Sequence, residues 1–340
     1  MFNCTFISAP VSYFDVHQFN KYTQTVTCID YGYGFVNHTL SSCIVVVFAT
    51  FIIFIIIENG VLPLSGKSRR YSHLTKCDIS AGFLAIGQNA YSFAIWFTEP
   101  HFHSPNTVTW MANRNLPVSG KRSKLSLTRH GNIVLVDAAF NTAWSSNTDS
   151  LDPVELHLKD DGNLVLRGQL QGTVLWQSFY FPTDTLVPGQ PLTRYTQLVS
   201  SRSHTNHSSI CFYKMFFDDD NILRLVYDGP DVSSNYWPSP WRVSWDVGRT
   251  LFNSSRIAVL NSFGVFYSSD NFTSVTSDYG TVLQRRLKLD SDGNVRVYSR
   301  NRVLEKWQVS WQAITDGCLI HGVCGANSTC GYESKSGRNC

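Results

Sequence analysis

Leu125-Ser-Leu-Thr-Arg-His-Gly-Asn-Ile-Val-Leu135 returns, with its leucine, glycine, asparagine and valine positions intact, as Leu156-His-Leu-Lys-Asp-Asp-Gly-Asn-Leu-Val-Leu166. On both sides of Gly-Asn the apolar residues alternate with polar ones, the pattern of half-buried strands joined by a tight turn. Trp110, Trp144 and Trp176 keep nearly the same beat, each inside a short apolar–polar alternation. Self-similarity at a fixed period marks one supersecondary unit used again, because a single unit cannot bury its apolar face alone. The period is too short for a propeller blade, and no helical stripe runs through the region. The spacing predicts an all-β fold of small antiparallel sheets packed around a shared axis.

Composition limits the function classes. Over 340 residues the chain carries 16% charged and 14% aromatic residues, a balance of folded, β-rich protein rather than disordered chain. Its length allows two or three domains. A net charge of +3, with no basic cluster interleaved with aromatics, gives no nucleic-acid footprint. Of nine cysteines, four (Cys318, Cys324, Cys330, Cys340) crowd into the C-terminal end, as in a disulfide-stapled module of an oxidising compartment. Glycosylation sequons at Asn206, Asn253, Asn271 and Asn327, with Asn3 and Asn37 near the start, point to the same secretory route.

Residues 1–77 are unassigned and contain an apolar segment, 43–57. As a helix it would rise about 22 Å, short of the roughly 30 Å hydrocarbon core. Three readings stand side by side: a signal anchor attaching the chain to a membrane, the hydrophobic region of a long leader, or a β-prone stretch rich in Ile and Val. Lys67, Arg69 and Arg70 come after it and Lys21 precedes it, which would leave the C-terminal side in the cytosol, against the sequons and cysteines. A further reading is that this N-terminus is not the natural leader of the β-rich remainder of the chain.

Trp110-Met-Ala-Asn-Arg-Asn-Leu-Pro117, the two repeated phrases and Leu175-Trp-Gln-Ser-Phe-Tyr-Phe-Pro-Thr-Asp-Thr-Leu186 resemble the bulb-type, mannose-binding lectin domain. The resemblance is to the version in plant G-type lectin S-receptor-like serine/threonine kinases and covers about 78–340. For 78–190 it implies a β-prism of three four-stranded sheets. It also implies a strand before Ser80-Ala-Gly-Phe83 that the preceding Ser72–Asp78 does not supply, leaving an open sheet edge. The family's sugar pocket is Gln-x-Asp-x-Asn-x-Val-x-Tyr, in which amides, a carboxylate and a phenol bond sugar hydroxyls beside an apolar valine. The matching positions in the first repeat are Thr128, His130, Asn132, Val134 and Val136, so only Asn132 and Val134 remain. In the second repeat Lys159 and Arg167 replace the amide and phenol, while Asp161, Asn163 and Val165 remain. These are degenerate mannose sites, and the plainer reading of each Gly-Asn is a hairpin turn.

Residues 205–312 repeat the hairpin grammar more loosely and resemble the S-locus glycoprotein domain, in this family a second lectin-like prism. Asp292, Asn294 and Tyr298 sit at sugar-motif positions, with Arg296 in place of valine. Asp218–Asp220 reads as a solvated turn, having no calcium-loop spacing. Trp237, Trp241 and Trp245 read as core or interface packing, since Pro238 and Pro240 exclude a helical stripe. Residues 317–340 resemble the start of an EGF-like module. By that analogy Cys318 pairs with Cys330 and Cys324 with Cys340, although four cysteines permit three pairings. A zinc site at His321, Cys324 and Cys330 fits no known spacing, and Cys211 has no evident partner.

No phosphate-binding Gly-rich loop, His-Arg-Asp, Asp-Phe-Gly, nucleophile elbow or His-Glu-x-x-His occurs. The expectation is a non-enzymatic extracellular or plasma-membrane recognition module of a receptor-like kinase type, without cofactor or metal. Its ligand would be a glycan or a secreted protein or peptide, in cell-surface or pollen-type recognition. A receptor-like kinase or a second copy would be its partner. The alternative is an inert fragment of such a receptor.

Overall fold

The computed structural model describes Ile55–Ile56, 79–97 and 107–340, apart from 120–121, 129, 153, 204, 210, 302–305, 326 and 334–336. The first unit holds three hairpin-based sheets. In chain order these are β2 (Ile79–Gly87), β3 (Ala90–Phe97) and β4 (Thr107–Met111); β5 (Lys124–Leu127), β6 (Ile133–Val136) and β7 (Thr142–Ser145); and β8 (Val154–Leu158), β9 (Leu164–Gly168) and β10 (Val174–Gln177). All pairing is antiparallel, and β1 (Ile55–Ile56) joins the middle sheet against β5. The repeated phrases form β5–β6 and β8–β9. Their alternation sends Leu125, Leu127, Ile133 and Leu135, and likewise Leu156, Leu158, Leu164 and Leu166, into one core.

The tryptophan beat is the axis of this prism. Trp110, Trp144 and Trp176 come from the last strand of each sheet and meet edge-to-face, with ring centroids 5.6–5.8 Å apart. Each such contact contributes about 0.5–1.5 kcal/mol beyond area burial. The glycines of the two repeats have a packing reason as well as a turn reason. Gly162 has φ +90°, and a Cβ there would come within 2.9 Å of Ile79 on the neighbouring sheet.

Two differences from expectation arise here. Among the described residues only the middle sheet has four strands; the other two have three. The outer edge of the middle sheet is occupied from an unexpected source, because Ile55–Ile56, the end of the apolar segment, is extended and pairs with Leu125 and Lys124. The rest of that segment lies outside the described residues. No helix among the described residues is long and apolar enough to cross a membrane.

The second unit has three complete four-stranded sheets. Its hairpin strands are β14 (Tyr213–Phe217), β15 (Leu223–Asp228) and β16 (Ser233–Trp237); β17 (Ile257–Leu260), β18 (Val265–Ser268) and β19 (Thr273–Val275); and β20 (Gln284–Leu289), β21 (Val295–Arg300) and β22 (Trp307–Gln312). The fourth strands come from one short segment: β11 (Thr185–Leu186) pairs with β20, β12 (Pro191–Thr193) with β17 and β13 (Leu198–Val199) with β14. Leu186, Leu192 and Leu198, six residues apart, are each fully buried, one in each sheet. These strands straddle residue 190, where the first unit was expected to end, and all pair with the second. An aromatic trio again marks the axis, with Phe272 5.0 Å from Trp237 and 6.0 Å from Trp311. Trp241 and Trp245, read as core or interface packing, are 89% and 72% exposed and so lie outside the core.

A small C-terminal hairpin, β23 (Gly331–Glu333) and β24 (Gly337–Asn339), carries the cysteines. Cys318 is bonded to Cys330 and Cys324 to Cys340, which leaves no thiolate for a metal beside His321. Cys211 is half-buried and bonded to no other cysteine among the described residues.

Candidate functional site

The sugar-motif positions of the second repeat lie on the outer face of the β8–β10 sheet, and the structure brings them together. Asp161, Asn163 and Arg167, however, are engaged within the protein. Asp161 Oδ1 accepts the Asn163 backbone N–H at 2.9 Å, closing the turn. Asn163, 4% exposed, donates Nδ2–H to Gln177 Oε1 at 2.7 Å. Its Oδ1 accepts from the Phe179 N–H at 3.3 Å and Ser178 Oγ at 3.4 Å. Val165, the apolar patch of the motif, is 2% exposed. Glu155 joins His157 Nε2, at 3.0 Å, and the Arg167 guanidinium on the same face. Burial pushes the Glu155 carboxyl up, but hydrogen bonds and charge from His157 and Arg167 outweigh it, so it titrates below the ordinary carboxylate range. Lys159 stays exposed.

The first repeat is built alike. Asn132 Oδ1 accepts from Ser145 Oγ and Ser146 Oγ, both at 2.9 Å, and Thr128 Oγ1 accepts the Asn132 N–H at 3.0 Å. Val134 is half-buried on the outer face, while His130 is solvent-exposed. In both repeats a serine two residues after the axial tryptophan accepts the first N–H of the returning strand: Ser146 from Ile133 at 2.9 Å, Ser178 from Leu164 at 3.0 Å. Trp-x-Ser was a readable signal that Gly-Asn had a structural partner, and sequence reading passed over it.

The third set of motif positions is closed by its own arginine. Arg296 Nη1 donates to Asp290 Oδ2 at 2.7 Å and Asp292 Oδ1 at 3.0 Å, and Nη2 to Asp292 Oδ2 at 2.8 Å. Tyr298 Oη donates to Asp290 Oδ2 at 2.7 Å. Asn294 holds both backbone groups of Ile314. Burial opposes charging at Asp292, yet Arg296 and the Asn294 N–H pull its carboxyl below the usual range. Burial and the neighbouring Asp290 push the Tyr298 phenol up. Where valine would give a sugar an apolar floor, a guanidinium fills the space.

Other candidate positions resolve similarly. Asp218 and Asp220 pair with Arg224, and Asp219 lies 3.6 Å from Arg256. Among the described residues no group of His, Cys, Asp and Glu is arranged to hold a metal. The sequon residues Asn206, Asn253, Asn271 and Asn327 are all exposed.

Sequence reading also missed the junction between the prisms. Asp184 is buried 3.9 Å from Arg114 Nη2 of the first unit and 3.7 Å from Lys288 Nζ of the second. It also accepts from Thr185 Oγ1 at 2.8 Å and from Ser201 Oγ. Burial raises its carboxyl, but Lys288 and Arg114 more than compensate, lowering it to about 2. Arg114 further donates to the carbonyls of His207 at 2.8 Å and Val199 at 3.0 Å.

Comparison with known proteins agrees with this architecture. Residues 107–207 match the D-mannose binding lectin family and 241–340 the S-locus glycoprotein domain family. A Zea mays protein bearing the name receptor protein kinase ZmPK1 is 35% identical over 83% of this chain and 36% of its own length. The Arabidopsis thaliana G-type lectin S-receptor-like serine/threonine-protein kinase SD3-1 is 32% identical over 74% of this chain and 33% of its own. The chain thus spans about a third of the length of these relatives. A two-domain lectin, Scilla campanulata agglutinin, aligns over 73% of this chain and 97% of its own at 15% identity and TM-score 0.25, a likeness that carries no argument. With a lectin model on one prism, an S-locus model on the other and receptor-like relatives across most of its length, the chain carries a D-mannose binding lectin domain followed by an S-locus glycoprotein domain and is similar to the lectin and S-locus part of the G-type lectin S-receptor-like kinases.

Proposed function

We propose that the chain is a non-catalytic recognition module of the extracellular or cell-surface side, reached by the secretory route. It engages a secreted protein, peptide or glycan through surfaces other than the mannose motif. The observation that carries this is the engagement of the motif asparagines and of Arg296 by internal partners, Asn163 with Gln177 above all. A neutral sugar must find free donors and acceptors, and displacing these buried partners would leave them unpaired. The exposed sequons and the disulfides support the compartment.

The secreted full chain, applied to a glycan array with and without Asp161→Ala, tests the reading. Asp161 is exposed, so the substitution leaves the fold in place. The expected result is no mannose signal that the substitution removes. Mannose binding abolished by Asp161→Ala would overturn it and establish the second repeat as a sugar site.

A further inference from the structure

The connection between β16 and β17, residues 238–256, exposes large aromatic side chains on a rigid base. Phe252 is 96% exposed and Trp245 72%. Single apolar residues on a surface need no explanation, but bare rings on a fixed connection offer area that a partner can bury. The fixing is done by Arg249, which is buried and pairs with Asp270 at 2.5 Å. Its guanidinium also lies 4.4 Å from the ring of Trp237 and 4.2 Å from that of Phe272. Next to it the Thr250 N–H donates to the Asp270 carbonyl at 2.8 Å.

Each ring stands beside a glycosylation sequon. Asn253-Ser-Ser255 follows Phe252 directly, and Asn271-Phe-Thr273 follows Asp270, the anchor of Arg249. The Ser255 N–H donates to Asn253 Oδ1 at 3.1 Å and the Phe252 N–H to Thr250 Oγ1 at 3.3 Å, which fixes the turn carrying Phe252 and Asn253. Asn271 Nδ2 donates to the Gly248 carbonyl at 3.2 Å, and the Gly248 N–H to the Trp245 carbonyl at 3.1 Å. Two hydrogen bonds thus tie the second sequon to the turn of Trp245. An amide nitrogen has two hydrogens, so Asn271 keeps its Gly248 bond with one when a sugar replaces the other. Asn206, by contrast, stands among Ser203, Thr205 and Ser208.

We propose that Phe252 and Trp245 are seats for the chain's own N-linked glycans, Phe252 for the glycan of Asn253 and Trp245 for that of Asn271. On attachment the amide Nδ2 loses a proton and bonds to the anomeric carbon of an oligosaccharide. The bond from that carbon to a lipid pyrophosphate breaks, and the lipid pyrophosphate leaves. The C–H face of an N-acetylglucosamine ring is apolar, and laying it on an aromatic face removes both from water. The proposal rests on the secretory route put forward above. The two aromatics are then covered in the secreted protein and are not part of its ligand surface.

Hydroxyl-radical oxidation of the secreted full chain, read residue by residue by mass spectrometry along with the occupancy of each sequon, tests this. Ser255→Ala and Thr273→Ala remove one acceptor each, keep both asparagines and fall at exposed positions. Covering one of a ring's two faces hides about half of it, so each substitution should speed oxidation of its own aromatic about twofold. Phe252 is expected to respond to Ser255→Ala alone and Trp245 to Thr273→Ala alone. Ser255→Thr and Thr273→Ser keep the acceptors and leave both rings slow, and Trp241 on the same connection serves as the reference. Glycans at Asn206 or Asn327 with Asn253 and Asn271 empty would overturn the proposal and leave the secretory route standing. No glycan at any of the four would overturn both. Occupied sequons with oxidation indifferent to the substitutions would sink the seats alone, and protection that grows with protein concentration instead would assign the rings to a second copy.

Discussion

A side-chain amide has two donor hydrogens and one acceptor oxygen, and Asn163 directs both kinds of group inward. Gln177 takes a donor, and the Phe179 N–H and Ser178 hydroxyl take the acceptor. Removing the amide leaves these buried partners unsatisfied, so Asn163→Ala is expected to cost about 2–3 kcal/mol. The exposed Asp161→Ala should cost under about 1 kcal/mol, since only a turn bond is lost. Urea denaturation of the two variants checks the contrast; equal midpoints would mean that Asn163 is not a strut. Gly162 obeys the same logic from the steric side. Its φ of +90° and the 2.9 Å approach to Ile79 make Gly162→Ala destabilising, by about 1–3 kcal/mol.

At the scale of elements, β11 to β13 show how few residues can complete a sheet. Each has two or three residues, too few to be stable alone, and each is held by one leucine in the common core. Leu192→Ala is expected to cost about 2–5 kcal/mol by cavity formation, comparable to a change in a long strand. Thermal unfolding should show one lowered transition for the second prism; an unchanged midpoint would mean that β12 is dispensable. These strands were hard to read beforehand because a two-residue strand has no alternation to detect. The leucine spacing of six is neither the strand nor the helix period.

The whole molecule is joined at Asp184, a carboxylate from the link between prisms set between Arg114 and Lys288. Its folded pKa of about 2 lies below the roughly 3.9 of an unfolded aspartate. A depressed folded value gives stability that is complete above the unfolded value. That stability is lost as pH falls from about 4 through about 2. The contribution at neutral pH is about 2–3 kcal/mol. Asp184→Asn should abolish that part of the acid sensitivity and leave two buried cations uncompensated, costing about 3–5 kcal/mol. Stability measured between pH 7 and pH 2 tests both. Parallel pH curves for the variant and the parent would show that Asp184 does not govern the acid limb.

The scaffold was legible because its cause is local. Strand alternation around Gly-Asn and a tryptophan in every sheet of the first prism express one buried face repeated, and both survive in the linear order of residues. The cysteine cluster and the sequons are likewise features of the linear order. What Asn132, Asn163 and Arg296 do was not legible, because a motif position is defined by what stands opposite it. Their partners lie a strand away for Asn132 and Asn163, at Ser146 and Gln177, and on neighbouring positions for Arg296, at Asp290 and Asp292. The sequence by itself determined a two-prism β scaffold with sugar-motif remnants. Only the tertiary structure decided that those remnants bond to the protein itself, because hydrogen-bond satisfaction depends on which groups the sheets bring within about 3 Å.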